Sequence, residues 1–311
     1  MKSYLYIIAA TLAMAVEYIL IKSAKDISGL LMGIIIFLTA GILLATMAVR
    51  QRAENKNWMK LLPGALTVGV IGSCCNLLWI YGTKMTSVAN SSALGRMDVI
   101  FTLLLALIIF GEKIPLKSWL FILSCLIGGA LMMNISNITF SSSENLGNAL
   151  IIGAALILSL NSFLIKKLSA PFGPARLAAV NCGVNVIIFC IAFVTTESFN
   201  LTAELSWQRF MTLLACGVCS FVFFAGYYTG IKTIPVWQIR IITLSAPVFT
   251  AIGGIVFLNE AISNIQVTGM TMVLLSAGAM IKLGKNKFDN KINKLNKRFS
   301  QDVELLFADR G

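Results

Sequence analysis

Four ionisable side chains stand inside long apolar stretches of this chain: Glu17, Arg96, Asp98 and Arg240. A charge at the centre of a bilayer costs at least about 2.5–3.5 kcal/mol, so residues of this kind turn inward and pair, bind a ligand or carry a proton. Two acids and two bases suit a molecule that carries both signs. Arg96 would hold a carboxylate, and Glu17 or Asp98 an amine or a proton. With a helical rise of about 1.5 Å per residue, Glu17 lies roughly 8 Å inward from the outer end of its helix, and Arg96 and Asp98 roughly 12 and 15 Å inward from theirs. Residues two apart on a helix do not face each other, so Arg96 and Asp98 cannot pair directly. The expected ion pair is Glu17 with Arg96, across the first and fourth helices. It either fixes packing or releases one partner to a ligand. Arg240 lies about 6 Å from the inner end of its helix, where it either snorkels to the surface or meets a ligand.

Neutral candidates join them. Asn76 lies at about the depth of Glu17, and Trp79 shares its helix; Tyr227 follows Trp79 by 148 positions, and Asn161 matches Glu17 when Lys22 is aligned with Lys166. Trp79 and Tyr227 either wall in a ligand or belong to an interfacial aromatic belt. Asn181 and Asn185, four apart, are expected to bridge helices. Trp237 and Gln238 open the ninth helix and are candidates for its inner mouth. Pro247 frees a backbone carbonyl and lets that helix bend.

Other chemistries lack their residues. The chain has no histidine, no phosphate loop and no metal-ligand spacing. Its seven cysteines all fall in apolar windows, where cysteine packs as a small hydrophobe; Cys216 and Cys219 form a mid-helix C-x-x-C, read as packing. Neither an enzyme, a metal nor a cofactor is expected. The net charge of +12 is distributed along loops and does not indicate nucleic acid.

The elements that position these residues follow from composition. Of 311 residues 58% are hydrophobic and 12% charged, against roughly half and a quarter in a soluble domain. A span needs about 20 residues of helix, and such windows run roughly 3–21, 30–49, 62–82, 88–110, 118–135, 147–165, 176–195, 210–231, 236–258 and 265–283. They are too long for transmembrane strands. Glu17 interrupts the first window and no clean cleavage site follows, so it reads as a membrane helix and not a signal peptide. The fold class is an all-α integral membrane protein of ten helices.

The chain also repeats itself. Lys84, Phe101-Thr102 and Glu112 return 148 positions later as Lys232, Phe249-Thr250 and Glu260. Two membrane-embedded copies mark secondary transporters. Residues 1–140 and 141–284 form the two five-helix repeats, with 285–311 a basic tail. Arg50, Arg52, Lys56, Lys60, Lys113, Lys117, Lys166, Lys167 and Arg176, together with the tail lysines, all fall on the side of the N-terminus. The positive-inside rule puts both termini in the cytoplasm. Five helices per repeat make the halves insert upside down relative to each other. The tail is either an amphipathic surface helix or a solvated segment.

Gly111-Glu112 and Asn259-Glu260 ending helices, Pro247-Val248-Phe249-Thr250, and Ile21-Lys22 closing the first helix resemble the EamA family of the drug/metabolite transporter superfamily. The likeness covers about residues 3–283. It implies a carrier of small metabolites in the bacterial inner membrane, often an exporter of amino acids or drugs. It also implies a cavity between the first, third, fourth, sixth, eighth and ninth helices, with the fifth and tenth outside. The chain departs from the pattern where Val99, preceded by Asp98, stands opposite Pro247, and where Glu17 replaces a small or amide residue. Those departures add charge to the cavity. The expected substrate sites are therefore Glu17, Asn76, Trp79, Arg96, Asp98, Asn161, Tyr227 and Arg240. The expected partners are a small polar or amphipathic metabolite, foremost an amino acid leaving the cell, a coupling proton and the lipid bilayer, for a monomer or homodimer. Uptake by the same fold and a membrane enzyme are the alternatives.

Overall fold

The computed structural model describes residues 2–23, 27–50, 58–86, 94–111, 114–132, 145–196, 206–258 and 263–283. Glu112, Lys113, Glu260 and the basic tail lie outside them. Among the described residues there are helices and no strand. They are α1 Lys2–Ser23, α2 Gly29–Arg50, α3 Leu62–Met85, α4 Met97–Ile108, α5 Leu116–Met132, α6 Asn145–Phe172, α7 Pro174–Thr196, α8 Trp207–Gly230, α9 Val236–Thr243, α10 Ala246–Leu258 and α11 Asn264–Leu283.

Every apolar window contains a helix, and eight are long and apolar enough to cross a membrane. Two windows differ from expectation. In the window at 88–110, of which residues 94–110 are described, Leu94 and Gly95 are helical, Arg96 forms a turn, and α4 follows over 12 residues, or about 18 Å of helix. Arg96 is the N-cap of α4 and Asp98 sits in its first turn. The window at 236–258 is interrupted at Leu244–Ser245 and gives α9 and α10. Backbone bonds bridge the interruption, from Leu244 N to the Arg240 carbonyl (3.0 Å) and from Phe249 N to Ser245 (3.3 Å). Pro247 falls in the first turn of α10, where a missing N–H costs no helical bond. α4 precedes α10 by nearly the offset of the sequence repeat, and the interruption at Arg96 precedes that at Leu244 by 148 positions.

Packing partners come in matching sets. α1 lies on α8 as α3 lies on α6, α2 on α8 as α7 on α3, and α1 on α10 as α6 on α4. The match reaches single residues. A Cβ on Gly82 would stand 2.9 Å from Ile151 Cδ1 and 3.1 Å from the Gly147 carbonyl. A Cβ on Gly230 would strike Ile7 and stand 3.3 Å from the Ser3 carbonyl. Gly230 follows Gly82 by 148, while Ile151 and Gly147 follow Ile7 and Ser3 by 144. A missing side chain lets two backbones approach, which is how helices gain contact area in lipid.

α6 and α7 are joined by Gly173 alone, at φ +94°, a conformation that favours glycine. Pro174 then begins α7 with its ring preset for a helix. One turn on, Arg176 Nη2 donates to the Ala48 carbonyl (3.3 Å), a cation on the last turn of α2. Outward faces are apolar: Leu120, Leu123 and Ile127 on α5 and Ile187, Ile191 and Val194 on α7 are all more than half exposed. Such a surface suits acyl chains and not water.

Candidate functional site

The polar centre of the bundle is built from α4, α6, α8 and α9. Arg240, on α9, extends its guanidinium to Asp98 on α4, with Nη1 3.2 Å from Oδ2. Its Nη2 donates to the Leu158 carbonyl at 3.3 Å and to Ser162 Oγ. Ser162 Oγ also accepts from Tyr227 OH at 3.1 Å and donates to the Leu158 carbonyl at 2.8 Å, so one hydroxyl joins α6, α8 and α9. Ser159, one turn away, holds the start of α4 by its hydroxyl, 2.8 Å from the Asp98 carbonyl. Asp98 and Arg240 are each only 8% exposed. Two charges taken out of water this far repay their desolvation only when paired and hydrogen-bonded.

The pairing is nevertheless incomplete. Among the described residues Asp98 Oδ1, Thr102 Oγ1 and Arg240 Nε are buried without a hydrogen-bond partner. Thr102 is one turn past Asp98 on the same face of α4. Thus an acceptor, a hydroxyl and a charged donor remain unspent around one ion pair. Buried polar atoms nearly always find partners, so each such exception calls for an explanation.

The expected Glu17–Arg96 pair is not formed. Arg240 takes Asp98 instead, and Glu17 Oε1 accepts from Ser220 Oγ on α8 at 2.7 Å. Nor does Arg240 snorkel to the surface: its guanidinium is buried and bonded to Asp98, Leu158 and Ser162. Tyr18 went unnoticed in the sequence. It is 43% exposed, yet the charges of Arg96, Glu17, Asp98 and Arg240 all reach its phenol.

The remaining candidates separate into two groups. Trp79 is 37% exposed, and its ring lies against Gly95, just ahead of α4. Tyr227 is buried at 4% and serves Ser162, so it supports Arg240 and does not flank an open surface. Asn76 Nδ2 donates to Asn185 Oδ1 (2.9 Å), and Asn185 Nδ2 to the Asn181 carbonyl (2.8 Å), the bridge between α3 and α7 that their spacing suggested. Asn161 donates to the Val68 carbonyl at 3.3 Å. These amides tie α3, α6 and α7 together, apart from the ion pair. Of the thiols, Cys75, Cys125, Cys182 and Cys216 are buried, Cys190 and Cys219 half-buried and Cys74 exposed; no cluster fit to hold a metal occurs among the described residues.

At the end where α1 begins, polar bonds draw the helices together. Tyr4 OH donates to Gln238 Oε1 (3.2 Å), Gln238 Nε2 to the Met280 carbonyl (2.7 Å), and Thr233 Oγ1 to Ser3 Oγ (2.8 Å). Trp237 and Gln238 are each 5% exposed, packed inside the bundle at this end.

An all-helical bundle with an apolar exterior and charges turned inward defines a multi-pass membrane protein. More closely, the chain belongs to the EamA-like transporter family, whose profile matches residues 1–134 and again 145–281. Membrane transport is the activity that family shares. The chain is similar to an uncharacterized transporter of Methanothermobacter thermautotrophicus, 25% identical over 236 residues, which are 74% of this chain and 66% of the relative. It is also similar to an uncharacterized transporter of Clostridium kluyveri, 25% identical over 289 residues, or 88% of this chain and 89% of the relative. A solved crystal structure aligns over 92% of this chain and 98% of its own, at TM-score 0.77 and 15% identity, a likeness of fold alone.

Proposed function

We propose that this transporter is a secondary carrier for a small zwitterionic metabolite, foremost an amino acid, which it exports across the bacterial inner membrane by alternating access. The buried Asp98–Arg240 pair, with unspent acceptor and donor atoms, carries the reading. An ammonium group would take the free oxygen of Asp98 and a carboxylate the free Nε of Arg240, with Arg96 and Tyr18 as further polar contacts and Trp79 against the apolar part. A substrate with both charges can replace the two halves of an ion pair without leaving either residue buried and unpaired, which is the costly outcome.

The mechanism follows from ten spans in two inverted repeats. The matched packing of α1 on α8 and α3 on α6 supports that architecture. Two similar halves packed across each other have two comparable arrangements, each open to one face. Basic loops put both termini in the cytoplasm. The end tied by Tyr4, Gln238 and Met280 is then the cytoplasmic one. The chain works as a monomer or homodimer.

The test is counterflow of radiolabelled amino acids in proteoliposomes preloaded with the same compounds unlabelled. A carrier accumulates label transiently and saturates with concentration. Flux that rises without limit would indicate a channel, chemical conversion of the label an enzyme. Failure of all amino acids to exchange would remove the substrate class.

A further inference from the structure

We infer that Glu17 is a proton-binding site separate from the Asp98–Arg240 pair, and that it supplies the coupling ion of the carrier. The use of the proton rests on the carrier reading; the existence of the site does not.

Two positions related by the repeat offsets carry unlike residues. Glu17 on α1 meets Ser220 on α8. By the offsets that relate Ile7 to Ile151 and Gly82 to Gly230, the corresponding residues are Asn161 on α6 and Gly72 on α3. These also face each other: a Cβ on Gly72 would stand 3.3 Å from Asn161 Nδ2 and 2.8 Å from Asn181 Oδ1. The α3–α6 crossing therefore holds neutral amides packed on a glycine. The α1–α8 crossing holds an acid and a hydroxyl. Only one of the two matched crossings can change charge.

The surroundings of Glu17 fit a proton better than a fixed partner. Among the described residues no cation lies within ion-pair distance of its carboxylate; Asp98 has Arg240, and Glu17 has a serine hydroxyl. The titratable groups facing it are Cys216 and Cys219 on α8, Cys182 on α7 and Tyr18 on α1 itself. Arg96, Asp98 and Arg240 are near enough to Tyr18, the neighbour of Glu17, to act on its phenol, and the described part of α10 carries no titratable residue. A serine hydroxyl donates to a carboxylate and accepts from a carboxylic acid, so Ser220 serves both states without moving. With the proton bound, the α1–α8 crossing closes over a neutral group. Without it, closing would bury a lone charge, which is strongly resisted in the membrane. Binding and release are a plain transfer between water and one Glu17 oxygen, so charge and atoms balance.

Infrared difference spectra between acid and alkaline buffer, on the purified full chain, test the site. We expect a carboxylic-acid stretch that titrates in the wild type, is missing in Glu17→Gln, shifts in Ser220→Ala as its hydroxyl partner is lost, and persists in Asp98→Asn. A band that survives Glu17→Gln, or that vanishes only in Asp98→Asn, overturns the assignment. Loss of the band when sodium replaces potassium at constant pH would give the site to sodium and also overturn it. In proteoliposomes carrying a trapped pH dye, an amino-acid gradient should move protons through the wild type and not through Glu17→Gln. If wild-type amino-acid counterflow is absent, the carrier reading fails while the infrared result still decides the site.

Discussion

Replacing Arg240 by methionine keeps most of the side chain's volume and removes its charge. In the present structure Asp98 Oδ2 has Arg240 as its partner at 3.2 Å, and Oδ1 has none among the described residues. The variant therefore leaves a buried carboxylate without its ion-pair partner, and also strips a donor from Ser162 and from the Leu158 carbonyl. Breaking one side of a buried ion pair costs about 3–5 kcal/mol, more than about a hundredfold in the folding equilibrium. Asp98→Asn made together with Arg240→Met removes both charges. Since neutral replacements of a buried pair are often harmless, the double variant should recover at least about 2 kcal/mol of the loss. Reversible unfolding in mixed micelles, followed by tryptophan fluorescence, gives the coupling energy from the four-member cycle. If Arg240→Met lies within about 0.5 kcal/mol of wild type, as an ordinary surface change would, the ion-pair argument is refuted. The folded double variant should also lose amino-acid counterflow. Transport at the wild-type rate would reduce the pair to a structural clamp.

Other expectations are simpler to state. Gly82→Val and Gly230→Val should each destabilise by about 1–3 kcal/mol through overpacking, with similar losses at the two positions; an effect at only one in thermal unfolding would break the equivalence of the crossings. Tyr4→Phe removes the hydroxyl that holds Gln238, so thiol labelling of a cysteine placed at Ser3 should quicken; unchanged labelling means this end is held by other contacts. Tyr227→Phe should cost about 0.5–1.5 kcal/mol for one hydrogen bond and weaken counterflow through Arg240, whereas unchanged stability and transport would show Ser162 needs no support. Reporter fusions after Gly311 should be active on the cytoplasmic side, and periplasmic activity would reverse the assigned orientation.

The helices were legible because lipid demands long apolar runs, and each window contains one. The 148-residue offset was legible from Lys84 and Lys232, and Gly82 and Gly230, which share it, each lie against a neighbouring helix. The ion pair was not legible. Straight, complete spans set Asp98 and Arg240 at different depths, and hydropathy does not show the interruptions at Arg96 and after Thr243. Neither interruption has a strong breaker at the break itself, Arg96 in one case and Leu244-Ser245 in the other. Tyr18 was hidden by its neighbour: beside Glu17, in an apolar helix, an aromatic residue reads as packing or as interface belt. Ser159 and Ser162 did leave a trace, two hydroxyls one turn apart on an apolar helix, a spacing that suits bonding to neighbouring helices.

The crossing of α1 with α8 sets an order of events at birth. Glu17 and Ser220 are separated by 203 positions, so the acid enters the bilayer long before its hydroxyl partner has been translated. Until then the newborn first hairpin holds an uncompanioned acid, and α3 likewise waits for α6. α1, α2 and α3 find their main partners in α8, α7 and α6, so a polypeptide halted near residue 140 should remain a substrate for quality-control proteases. Supplying the missing half from a second message should rescue it.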